Sequence, residues 1–394
     1  MRTIVKSPAV TAGRFTELDS LRGLAALTVV FHHFLITLPA FWTRVEHPAS
    51  SPLWPVIFTP VHAVWAGREA VIFFFVLSGF VLSLPFFARP VSYPSFLVRR
   101  VCRIWIPYAV AVVAAVALSS LLSRHGIAGL SAWFNGIWTT SPTPGLLLQH
   151  FALVDSFNNK VFDPVLWSLV HEMRISLVFP LLMFLVIRWN WLRVVTVGAM
   201  LSVASSLFPV DRPDYLASFE FLLMFAAGAL LARHRVEIAD RYRALANPVK
   251  LSLLLLALLA YTYSWWFFPF SAQLHLRFVN DWATCLGVAA FMVTAIASVR
   301  VRSVLRHPVL VALGKASYSI YLFHAVVLLS LVYLLFPAVP IWLIWPVALL
   351  VTLAIAFLVY RTVEVPAIRL GHLLAARIEA RGYRQWVRRE DRAA

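Results

Sequence analysis

The sequence is short of charge. Only 13% of its 394 residues are Asp, Glu, Lys or Arg, against roughly 25% in an ordinary soluble domain. Hydrophobic residues make up 61%, and the mean hydropathy is +0.82. So few polar side chains cannot cover a water-soluble globule, which leaves an integral membrane protein. Cysteine is nearly absent too: Cys102 and Cys285 alone exclude a disulfide framework, a Cys-rich zinc site and a thioredoxin-type couple. The chain has no phosphate-binding loop, no Gly-x-Ser-x-Gly elbow and no dinucleotide fingerprint. His32 and His33 are adjacent and point to different faces, and no His-x3-His pattern or carboxylate cluster joins them, so neither a metal nor a resident cofactor is expected. Acidic residues number 17 against 34 basic ones, giving a net charge of +17. Such an excess suits nucleic acid or a membrane protein's cytoplasmic loops, and its placement decides between them.

Apolar stretches long enough to cross a bilayer begin near residues 21, 64, 104, 164, 192, 215, 249, 280, 316 and 341. The fold expected is therefore all-α: a polytopic membrane protein of about ten transmembrane helices with both termini cytoplasmic. On that assignment 25 of the 34 cations fall in inside segments and only Arg44, Arg124, Lys160, Arg212 and Arg277 in outside loops. This asymmetry is what the positive-inside rule requires, and it demotes nucleic acid as a partner. Residues 1–20 lack an apolar core, so no cleavable leader is expected. The chain divides into a cytoplasmic segment 1–14, a transmembrane domain 15–370 and a basic cytoplasmic tail 371–394. The longest outside segment, about 123–163, holds Trp133, Trp138 and an apolar run Leu146 to Val154. That run is too short to cross and reads as re-entrant or interfacial.

Ionisable side chains inside a bilayer cost several kcal/mol each, so each one asks for a partner or a function. Arg22 and His33 are eleven residues apart. On a helix this puts them on one face, separated by roughly 16 Å, with Arg22 near the inner mouth and His33 near mid-membrane. His32 is turned off that face by about 100°. Arg68 and Glu69 open the second span near the outer boundary, where they either orient an acceptor or anchor the interface. Arg100 and Arg103, three apart, share a helix face suited to phosphate, although taken alone they are better explained as ordinary inside charge. Glu172 lies about two turns into the fourth span, at a height approaching that of His33. Its same-helix neighbours His171 and Arg174 do not face it, and a buried carboxylate meeting His33 would fix its tautomer and steady its imidazolium. Ser317, Tyr321 and His324 follow a four-three spacing on one face, either as a helix-packing network or as part of a site.

In this order the pieces resemble the acyltransferase 3 family of bacterial membrane O-acyltransferases. The resemblance rests on Arg-x10-His (Arg22, His33), on Gly-Arg-Glu followed by Phe-Phe-x-Leu-Ser-Gly-Phe (Gly67 to Phe80), and on Arg-x2-Arg (Arg100, Arg103). It continues through Trp-Ser-Leu-x2-Glu (Trp167 to Glu172), Ser-Tyr-Ser-Ile-Tyr-Leu-x-His (Ser317 to His324) and Glu-x-Pro (Glu364, Pro366). It implies transfer of an acyl group, commonly acetyl from acetyl-CoA, to a hydroxyl of a sugar or other lipid-linked or secreted acceptor in the bacterial inner membrane. By carry-over, His33 is the catalytic histidine, and Arg22, Arg100 and Arg103 hold the CoA end.

Elementary chemistry agrees, since an acyl-CoA carries phosphate charges that need cations at the cytoplasmic mouth and a path to a mid-membrane base. The expected mechanism has His33, held by Glu172, take the proton of the acceptor hydroxyl, with Arg68, Glu69, Tyr321 and His324 as acceptor or oxyanion candidates. An acyl-histidine relay is the covalent variant. A transporter or flippase of a sugar or organic anion is the rival class, disfavoured by the lack of paired inverted repeats.

Overall fold

The computed structural model describes residues 15–42, 53–122, 126–154, 157–207, 214–265 and 276–393. The expected segment 1–14 and the outside-loop cations Arg44, Arg124 and Arg212 lie outside the described residues. Those described form helices and turns with no strand. The main helices in chain order are α1 (Thr16–Leu35), α2 (Gly67–Ala88), α3 (Tyr93–Leu122), α4 (Pro144–Ala152), α5 (Leu166–Arg188), α6 (Trp191–Ser206), α7 (Asp214–Arg233), α8 (Asn247–Tyr261), α9 (Arg277–Ala297), α10 (Pro308–Leu335), α11 (Ile341–Val359) and α12 (Val365–Ala393).

Among the described residues seven helices are long and apolar enough to cross a membrane, where about ten spans were expected. These are α2, α3, α5, α7, α9, α10 and the run from α11 into α12. The other three differ for physical reasons. Glu17, Asp19 and Arg22 crowd the first two turns of α1, while α6 and α8 are apolar but only 16 and 15 residues long.

Two glycine crossings set the geometry that matters. A Cβ on Gly23 of α1 would stand 2.6 Å from Gly314 N, and one on Gly314 of α10 would collide with Asp19 O. Backbone therefore meets backbone, and α1 and α10 run side by side in the same direction, with Arg22 beside Ser317 at one end and His33 beside His324 at the other. At the second crossing an added Cβ on Gly79 of α2 would collide with Phe225 O of α7, and one on Gly228 with Val76 O. Small residues allow this approach where apolar area provides no driving force inside lipid. The start of α1 is tied down separately: buried Glu17 pairs with Arg302 (3.6 Å) and Arg306 (3.3 Å), and Ser20 Oγ donates to Leu305 O.

Over the histidine end lies a cap formed by the segment between α3 and α5. Ser131 N donates to Thr37 O at 2.9 Å and Ser131 Oγ to Ile36 O at 2.6 Å, which fastens a short helix, Ala132–Asn135, to the end of α1. Phe134, Trp138 and Phe162 are buried against α10 and α11, and Trp138 Nε1 donates to Phe162 O at 2.7 Å. The run read as re-entrant becomes α4, nine residues capped by Thr143.

Candidate functional site

Arg22 enters a cavity of about 90 Å³ lined also by Arg100, Arg103, Glu172, Tyr318 and Tyr321. Its guanidinium is fixed by α10: Nε donates to Ser317 Oγ at 2.7 Å and Nη2 to Gly314 O at 2.9 Å. That carbonyl is reachable because residue 314 has no side chain. Arg100, buried, donates from Nε to Ser176 Oγ at 3.0 Å and from Nη2 to Glu172, whose Oε1 also accepts from Ser78 Oγ at 2.9 Å. Arg103 stands apart, making no hydrogen bond or ion pair with a described residue while its side chain lines the cavity. The two arginines expected to clamp phosphate together are thus divided: Arg100 is paired directly with Glu172, whereas Arg103 has only a longer-range attraction to Glu364 and keeps its guanidinium nitrogens unbonded by any described residue.

The expected contact between Glu172 and His33 is not made. Glu172 directs its carboxylate to Arg100 and Ser78, because a buried guanidinium one helix away is a stronger partner than an imidazole farther along the bundle. His33 instead meets His324, Nδ1 to Nε2, at 3.0 Å. His33 Nδ1 also lies 2.9 Å from Val29 O, and His324 Nδ1 lies 3.1 Å from Ile320 O. With both rings neutral, one proton arrangement satisfies all three contacts. His324 Nδ1–H donates to Ile320 O, and its bare Nε2 accepts from His33 Nδ1–H, which is shared with Val29 O. The proton on His33 then sits on Nδ1, so Nε2 carries the lone pair. This nitrogen has no hydrogen-bond partner among the described residues and is not sealed off. A base with a fixed tautomer and an open lone pair is the geometry general-base catalysis uses.

Residues 15–361 match the acyltransferase domain that defines the acyltransferase 3 family. The chain belongs to the acyltransferase 3 family. It is also similar to nodulation protein 10 of Rhizobium leguminosarum bv. viciae, 26% identical over 388 residues that cover 93% of this chain and 97% of that protein. No solved structure matches. The protein is accordingly an acyltransferase enzyme embedded in a membrane.

Within the acyltransferase 3 domain the remaining candidates separate into two groups. Tyr321 belongs to the arginine cavity: its hydroxyl is 2.7 Å from Ser168 Oγ, and its ring lies 6.0 Å from that of His324. It bridges the cavity and the histidine pair. Arg68 and Glu69 point elsewhere. Arg68 makes a two-point bond to Asp281 (3.1 and 2.8 Å). Glu69 accepts from Trp265 Nε1 at 2.8 Å and from Ser264 Oγ, anchoring the turn after α8. His32, turned off the Arg22–His33 face as its spacing requires, bonds Trp65 O at 3.1 Å.

Two contributors escaped sequence reading. Ser78, which the second-span motif contains without giving it a role, binds Glu172. Trp133, in the outside segment, sets its half-buried indole 5.2 Å from the His33 ring. Its signal was the presence of a tryptophan in a long loop, which gives no position. Asp163 beneath the cap is fully buried and its carboxyl is pushed up to about 8 by desolvation, so it is neutral at pH 7. A charge there is avoided by protonation and not by pairing.

Proposed function

We propose that the protein is an O-acyltransferase of the bacterial inner membrane that moves an acyl group, acetyl from acetyl-CoA, onto a hydroxyl of a glycan or other cell-envelope acceptor. The observation carrying this reading is the bare Nε2 of His33, held by His324 one turn beyond the cavity that Arg22 and Arg103 line. The narrow cavity suits the slender thioester arm of the donor, leaving the nucleotide phosphates at the basic mouth, on the cytoplasmic side by the positive-inside rule.

His33 Nε2 takes the proton of the acceptor hydroxyl as that oxygen attacks the thioester carbonyl. The C–S bond then breaks, and Nε2 returns the proton to the departing CoA sulfur. His324 keeps the His33 tautomer and accepts the Nδ1–H bond that strengthens when the ring is cationic. Tyr321 supplies a hydroxyl on the donor side of the pair, in reach of the oxyanion. Trp133, on the opposite side, forms the wall along which the acceptor arrives.

The test is purified protein in nanodiscs with labelled acetyl-CoA and envelope glycan. Expected are label on the glycan and stoichiometric free CoA, with His33→Ala reducing both by about 10²-fold or more at unchanged thermal stability. A transporter would release no CoA, and undiminished transfer in His33→Ala would remove the base assignment.

A further inference from the structure

A second cavity among the described residues is larger than the one the donor reading uses. It measures about 420 Å³ and opens at the histidine end, on the other side of α5. Ser168 and Glu172 of α5 face the arginine cavity, whereas Trp167 and His171 face this one, so that α5 is the wall between them. The first turns of α2, α5, α7 and α9 converge here. That it shares the histidine end follows from Gly67, whose added Cβ would lie 2.5 Å from His32 Cγ: the residue before Arg68 touches the neighbour of His33. The volume falls within the roughly 300–1,000 Å³ typical of small-molecule sites.

Its lining is selective. Three cations, Arg68, Lys160 and Arg277, face it with a single carboxylate, Glu220. Glu220 is 1% exposed and lies beneath both arginines, 3.8 Å from Arg68 Nη2 and 3.5 Å from Arg277 Nη1. Both arginine side chains stay 41% exposed. Arg68 is held further by Asp281 from behind. The buried carboxylates thus set the arginines side by side with their outward edges open, a preorganised pair of the kind that binds an acid group with two points of contact. Lys160 Nζ adds a third charge, 5.8 Å above the Trp167 ring. The half-buried indole of Trp167 and the amide of Asn158 supply the apolar face and neutral hydrogen-bonding groups that a ring of hydroxyls needs.

We propose that this cavity binds an acidic saccharide, a sugar unit bearing a carboxylate or similar anionic group, and that the acceptor is a glycan containing such units. The acceptor role rests on the acyl-transfer reading, whereas the binding rests on the cavity alone. A hydroxyl on an adjoining unit then lies toward His33 along the cap.

The experiment is equilibrium binding to the full chain in phosphatidylcholine nanodiscs, without acetyl-CoA. The probes are cellotetraose and the same tetrasaccharide oxidised at C6 to glucuronate units. The acidic form is expected to bind at least tenfold tighter. Lys160→Met, on an exposed loop position, and Arg277→Gln should each cut that preference several-fold. Equal affinities, or a preference unchanged in both variants, would overturn the proposal. Replacing a fifth of the lipid by phosphatidylglycerol tests a headgroup as the source of the anion. Less than a twofold effect is expected, and abolished saccharide binding would give the site to lipid. His33→Ala should keep the preference. Lost preference with intact acetyl transfer overturns this cavity alone, and lost transfer chemistry with intact preference overturns the acyl-transfer reading alone.

Discussion

Arg100 and Arg103 are three residues apart and lie against the same cavity, yet their chemistry has diverged. The side chain of Arg100 is 6% exposed and that of its partner Glu172 16%. Removing one half of such a pair leaves a stranded charge, a loss of about 3–5 kcal/mol. Arg103 makes no direct ion pair with a described residue, and the carboxylate it attracts, the buried Glu364, also faces the charge of Arg22 and keeps its hydrogen bond from Ser319 Oγ at 2.8 Å. Arg103→Ala is therefore expected to leave the melting temperature within a few degrees while raising the KM for acetyl-CoA by roughly tenfold to a hundredfold, the value of one charged hydrogen-bonding group. Arg100→Ala should lower the melting temperature sharply, and the double variant Arg100→Ala/Glu172→Ala should recover part of that loss because neither charge remains unpaired. Thermal unfolding in detergent together with acetyl-CoA titrations separates the two roles. If Arg100→Ala is stable and changes only KM, the phosphate clamp of two equivalent arginines is restored.

The helix is the scale at which the sequence was most legible. Eleven-residue spacing placed Arg22 and His33 on one face of α1, and four-three spacing aligned Ser317, Tyr321 and His324 on α10; both faces turn toward each other. Periodicity resolves which residues share a face, because 100° per residue is a property of one chain segment. It does not resolve which helix a face meets. Glu172 was at the right height for His33, but height is shared by every helix in a bundle, and Arg100 and Ser78 were there as well. The information that pairs α1 with α10 sits in glycines that carry no chemistry. Gly314→Ala drives a methyl into Asp19 O, so the helices must separate at the point where Arg22 reaches Gly314 O and, eleven residues on, where His33 meets His324. Acetyl transfer should fall by more than tenfold, together with a lower melting temperature. A single methyl suffices for this effect, since backbone and not a movable side chain is the obstacle. Gly145→Ala, where an added Cβ meets nothing within 4 Å, is the control and should behave as wild type.

At the scale of the whole molecule, the class and family were readable from hydropathy and motif order, whereas the cap and the second cavity were not, since they are assembled from residues distant in sequence. The arrangement has a direction. Cationic side chains line the cavity at the end where α1 and α10 begin, the histidine pair lies toward the other end, and Trp133 and the second cavity lie at that histidine end. On the proposed acyl transfer, a donor too charged to cross lipid arrives from one face and the acceptor from the other. In sealed membrane vesicles this becomes a sidedness measurement. Labelled acetyl-CoA added outside should be consumed by inside-out vesicles loaded with glycan and not by right-side-out ones, and permeabilising the membrane should equalise them. Arg103→Ala should weaken consumption in the inside-out preparation, and Lys160→Met should act only through the glycan enclosed within. Equal consumption by both sealed preparations would mean that donor and acceptor share one face, and the wall formed by α5 would then separate two binding sites without separating two sides of the membrane.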